Sequence, residues 1–89
     1  ADVTVTNEAQ MQRYREWSSR AIAEHGAEVL VRGGKVVTLE DNWAPTRIVV
    51  LKFKDLDAAQ AYYDSETYTQ ARQVREGAGA IRMIAVEGV

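Results

Sequence analysis

The apolar positions of this chain switch between a period of two and a period near 3.6, and the order of the switches predicts β-α-β-β-α-β. Ala1-Asp2-Val3-Thr4-Val5 alternates with β-branched residues and reads as a short strand. Asn7 follows as a helix N-cap, with Gln10 three residues on in the capping-box position. Met11, Tyr14, Ser18, Ala21, Ile22 and His25 then recur at helical spacing until Gly26 stops the helix. Ala27 to Arg32 is a second strand, Gly33-Gly34-Lys35 turns the chain, and Val36 to Glu40 is extended again. Asp41 to Pro45 is a loop holding the only proline, and Thr46 to Phe53 is the strongest strand pattern. Asp55 caps a helix through Leu56, Ala59, Tyr62 and Tyr63. Ser65 caps its restart toward Gly77, and a last strand runs from Ala80 to about Glu87.

Both sides of the long strands carry apolar residues. Val49, Leu51 and Phe53 point one way, Ile48 and Val50 the other; Ile81, Met83 and Ala85 oppose Ile84 and Val86; Ala27, Val29 and Val31 oppose Leu30. A sheet with one solvated face alternates apolar with polar instead. Two helices cover one face of a four-stranded sheet, so a partner is expected on the other. The expectation is a homodimer through the open sheet face, the alternative a monomer whose loops supply a third layer.

Composition narrows the function classes. The 89 residues allow one small domain, and 46% hydrophobic content suffices for one core. There is no cysteine, which removes disulfides, thiolate metal sites and cysteine nucleophiles and fits a reducing cytoplasm. The net charge of −2, with arginines dispersed among acids, argues against nucleic acid. No stretch approaches a membrane span and no signal peptide is visible. The chain starts without methionine and its first alternation is short, so further residues of the first strand are expected before Ala1.

Along most of its length the chain resembles the domain-of-unknown-function 1330 family, within the dimeric α/β-barrel superfamily. The residues that carry the resemblance are Leu30-Val31-Arg32-Gly33-Gly34, Leu39-Glu40, Trp43, Pro45, Arg47, Val49-Val50, Phe53, Ala58-Ala59, Tyr63-Asp64-Ser65-Glu66-Thr67-Tyr68, Arg75 and Val86-Glu87-Gly88. Tyr62 stands where the family often has tryptophan, and Lys54-Asp55 replaces a common Pro-Ser helix start. The resemblance implies an α+β, ferredoxin-like sandwich with a four-stranded antiparallel sheet, both helices on one face, and a dimeric α/β barrel. It implies no settled activity.

The candidate chemistry is sparse. Arg32 and Arg47 flank the turn and loop between the middle strands, beside Glu40 and Trp43. An arginine fork suits a carboxylate or enolate, and an aromatic wall suits a planar ligand. The alternative is an internal Arg47–Glu40 pair that holds the loop. His25, the only histidine, has the intrinsic pKa of a general base, but its place in the last turn of a helix also suits the helix dipole. Tyr63 and Tyr68 bracket Ser65; a tyrosine hydroxyl can donate to an oxyanion, or simply pack. One histidine and no ligand spacing predict no metal site, and no cofactor is expected.

Three functions remain open. By analogy with related dimeric α/β barrels, one is a cofactor-independent monooxygenase, isomerase or cyclase, or a binding protein, for a hydrophobic or aromatic organic acid, with Arg32, Trp43, Arg47, Tyr63 and Tyr68 as substrate contacts and His25 or Tyr63 as catalytic candidates. The others are a non-catalytic regulatory module and a structural dimer.

Overall fold

The computed structural model describes residues 1–89. The elements are β1 (Asp2–Val5), α1 (Glu8–Glu24), β2 (Glu28–Arg32), β3 (Arg47–Lys52), α2 (Leu56–Asp64), α3 (Glu66–Val74) and β4 (Gly79–Arg82). They form an α+β unit with an antiparallel, open four-stranded sheet in the order β2-β3-β1-β4, consistent with a ferredoxin-like arrangement. The expected β-α-β-β-α-β order is present, with the second helical segment divided at Ser65 into α2 and α3.

Local chemistry explains the boundaries. The three expected N-caps all form: Asn7 Oδ1 accepts from the Gln10 N–H at 3.0 Å, Asp55 Oδ1 from Ala58 at 2.8 Å, and Ser65 Oγ from Tyr68 at 3.1 Å. The capping box does not close. The Gln10 side chain instead crosses to α3 and donates to the Val74 and Glu76 carbonyls at 2.8 and 2.6 Å, satisfying acceptors left open at that helix end. Gly79 is obligatory. Its φ is +156°, and a Cβ there would lie 1.9 Å from the Thr4 carbonyl oxygen.

The helices cover one face of the sheet. Val3, Met11 and Ala78 make one buried cluster, against which Val49 and Ile81 pack. Ala21, Tyr62, Tyr68 and Ala71 make the other, against Leu51 and Phe53. Val49, Leu51 and Phe53 thus share the helix-covered side, as their alternation predicts.

The second and fourth strands depart from the sequence pattern. A bulge between Val29 and Val31 shifts the β2–β3 register, so Val29 faces Leu51 but Val31 faces Val50 on the uncovered side. Strict alternation would have kept Val29 and Val31 together. β4 covers Gly79–Arg82 and pairs with β1 as far as Asp2↔Arg82, a shorter strand than the run to Glu87 that the pattern predicts. Residues 36–40 join no ladder. The uncovered side therefore carries Ile48, Val50 and Val31 beside the Arg82–Asp2 ion pair, at 2.8 Å, rather than a wholly apolar surface. Ile84 and Val86, expected on the last strand, lie beyond its end.

Candidate functional site

Arg47 opens β3 and faces Val3 across the β1 pairing, which turns its side chain to the helix-covered side of the sheet. The guanidinium passes over Gly33: a Cβ on that residue would sit 2.7 Å from the Arg47 guanidinium carbon, and its φ of +66° already favours glycine. The turn that ends β2 thus makes room for the arginine that starts β3.

Asn7 starts α1 so that Glu8 occupies its first turn, and Arg15, two turns on, returns to the same face. Arg15 Nη1 donates to Glu8 Oε1 at 2.5 Å. Arg47, Arg15 and Glu8, with Val3, Val5 and Thr46, line a cleft of about 520 Å³ between α1 and the β1–β3 end of the sheet. The Arg15 hydrogen bond holds the Glu8 carboxyl below its usual range; desolvation opposes this, and the smaller effects of the Arg15 and Arg47 charges reinforce it. The chain's two ion pairs are Arg15–Glu8 and Arg82–Asp2, so the half-buried Arg47 has no carboxylate within 4 Å. The Arg47–Glu40 pair considered from the sequence is not made. Two guanidiniums against one carboxylate leave the cleft positive, with two valines as apolar wall.

The other candidates lie elsewhere. Arg32 faces Val49 at the end of β2 and is exposed. Trp43 is 63% exposed in the loop, where its carbonyl accepts from Thr38 Oγ1. His25 caps the C-terminus of α1; its Nδ1 donates to the Ala21 carbonyl at 3.0 Å and its ring stands edge-on to Tyr62, with no acid orienting it. Tyr68 is fully buried and shares a 2.6 Å hydroxyl–hydroxyl bond with Tyr14. Burial pushes the Tyr14 and Tyr62 hydroxyls well above the ordinary tyrosine range, and neighbouring Tyr68 adds to the shift. Tyr63 lies on the surface, its ring under the Arg72 guanidinium at 4.4 Å.

Arg15 and Glu8 were missed as site residues. Their seven-residue spacing on one helix was visible, but only the crossing of α1 over β1 and β3 brings that face to Arg47. No cluster of three or more His, Asp or Glu side chains is placed to hold a metal ion. The family model described as Domain of unknown function (DUF1330) matches residues 1–89. No curated protein matches the chain.

Proposed function

The chain belongs to the family described as Domain of unknown function (DUF1330), and from that premise we propose that it binds a small hydrophobic or aromatic organic acid, with Arg47 receiving the carboxylate. The observation that carries this reading is a half-buried arginine without a carboxylate partner, lining a cleft that also holds Val3 and Val5. Guanidinium forks match carboxylates in two hydrogen bonds, and the valines favour an apolar body on the ligand. Glu8, the only acid in the lining, has a depressed pKa and is a weak proton acceptor at neutral pH. The cleft thus favours binding over turnover. Calorimetry with benzoate and phenylacetate tests it: Arg47→Ala should weaken binding at least about tenfold, the loss of a charged hydrogen-bonded contact. Unchanged affinity in a folded variant removes Arg47 from the site.

The same reading includes a homodimer formed through the uncovered side of the sheet and closing as an α/β barrel. Val31, Ile48 and Val50 on that side, with Leu30, Val37, Leu39, Trp43, Ile84 and Val86 exposed around the chain, supply the apolar area. A stable pair needs roughly 800 Å² from each copy. Sedimentation at micromolar concentration should give twice the protomer mass, and Val50→Asp should halve it; a folded single protomer for the unaltered chain overturns the dimer. No helix is long and apolar enough to cross a membrane, and a cytoplasmic setting fits the lack of cysteine.

A further inference from the structure

We propose a second and separate anion site, suited to a phosphoryl group, in the cleft between α3 and the turn leading into β4. The cleft measures about 540 Å³ and shares no lining residue with the Arg47 cleft. Arg72 and Arg75 line it, one helical turn apart, with Tyr63, Thr69, Gln73 and Glu76.

Neither arginine is neutralised. The chain's two ion pairs lie elsewhere, and the Nε of Arg72 and of Arg75 are both buried without an acceptor. A buried donor on a charged group left unpaired is unfavourable, and a carboxylate commonly answers it. Aromatic faces take that place. The Arg72 guanidinium carbon sits 4.4 Å from the Tyr63 ring centroid, and that of Arg75 sits 5.4 Å from the Tyr14 centroid. A ring face holds each guanidinium in place while leaving its charge uncompensated. Arg72 Nη1 and Nη2 make only long contacts, 3.3 Å each, to the Tyr63 hydroxyl and Thr69 Oγ1.

Two guanidiniums and one carboxylate, Glu76, leave the lining positive. The terminal Nη groups of two arginines and two hydroxyls still offer more donors than the two oxygens of a carboxylate use, and they suit the three terminal oxygens of a phosphoryl group. Apart from the Tyr63 ring, the lining named above is polar or charged, unlike the valine-walled Arg47 cleft.

The test is a titration of the full ¹⁵N-labelled chain with inorganic phosphate at constant ionic strength, with acetate as a parallel arm. Saturable amide shifts confined to residues 69–79, at least tenfold weaker with acetate, are expected. Arg72→Gln and Arg75→Gln should each weaken phosphate at least tenfold. Shifts that never saturate, that centre on Gly33 and Arg47, or that are equal for acetate overturn the proposal. So does wild-type affinity in both glutamine variants. The titration of the unaltered chain decides the matter even where a variant fails to fold.

Discussion

The two sides of the sheet carry similar apolar residues and treat them oppositely. Under the helices, Met11, Tyr68, Ala71 and Ala78 are at or within 1% of full burial. On the uncovered face Val31 and Val50 are each 38% exposed, and off the sheet Leu39 and Ile84 are 92% and 86% exposed. The difference is one of neighbours, since Leu and Ile lose as much as Met by staying in water. It teaches that fold stability resides in the covered residues, while the homodimer proposed above would draw on the others. Substitutions on the covered side should change unfolding and leave association alone; those on the other side should do the reverse.

Tyr68→Ala tests the covered side most severely. It removes a fully buried ring packed against Tyr14, Tyr62 and Tyr63, at centroid distances of 6.1, 4.7 and 5.6 Å. Truncating a buried aromatic residue costs about 3–5 kcal/mol, which urea unfolding should register. Tyr68→Phe keeps the ring and loses only the Tyr14 bond, so about 1 kcal/mol is expected. Equal losses for the two variants would show that the hydroxyl pair rather than the packing holds the core. Met11→Ala follows, at about 2–5 kcal/mol. Ile84→Ser should cost the protomer little, within roughly 0.5 kcal/mol, while weakening dimers in sedimentation. If it unfolded the chain instead, Ile84 would belong to the protomer's core rather than to its exposed apolar surface.

How much of this division could be read in the sequence depends on the range of the forces involved. Caps are local, and Asn7, Asp55 and Ser65 were legible because each bonds a backbone N–H three residues on. That Val49, Leu51 and Phe53 share one side of the sheet was legible from alternation within one strand, whereas which side the helices cover was not. The bulge at Leu30 was not, because it shows only when two strands are paired, and the extent of β4 is likewise a matter of its pairing with β1 rather than of its own alternation. Gln10 fitted a capping box, yet its Nε2 donates to two carbonyls sixty-odd residues away, and the Asn7 N–H it would have met donates to the Ala78 carbonyl at 3.0 Å. Of the site, Arg47 was legible from its place after the loop. Its neighbours Arg15 and Glu8 reach it only because tertiary packing lays α1 beside β3, and Arg72 and Arg75, one turn apart on α3 and its C-cap, meet their aromatic rings on α2 and α1 in the same way.

A milder probe of the covered side is alkali. Tyr14 and Tyr62 have folded-state pKa values raised from the ordinary 10, chiefly by burial. A raised folded pKa means that their contribution to stability is complete below pH 10 and declines as pH climbs above it, since the unfolded chain ionises first. Tyrosinate absorbance should therefore rise in two stages, the later one coinciding with loss of helical circular dichroism. A single smooth rise with the helices intact would mean that water reaches these hydroxyls in the folded protein.

The smallest effect belongs to the rim of the covered side, where Glu8 and Arg15 of α1 pair in solvent and line the Arg47 cleft. The Glu8 pKa is lowered from 4.5, so the stability the pair adds is present above pH 4.5 and is lost as pH falls through the lowered value. An exposed pair of this kind changes an equilibrium by no more than about fivefold. Glu8→Gln should abolish that acid-side loss while leaving the protomer folded at neutral pH. It also releases Arg15 from its carboxylate, so benzoate should bind up to about fivefold more tightly at pH 7. The two readouts separate the roles of Glu8. A changed acid limb with unchanged benzoate affinity makes the pair a clasp for the first turn of α1, whereas tighter benzoate makes Glu8 an internal competitor for the arginines that the ligand needs.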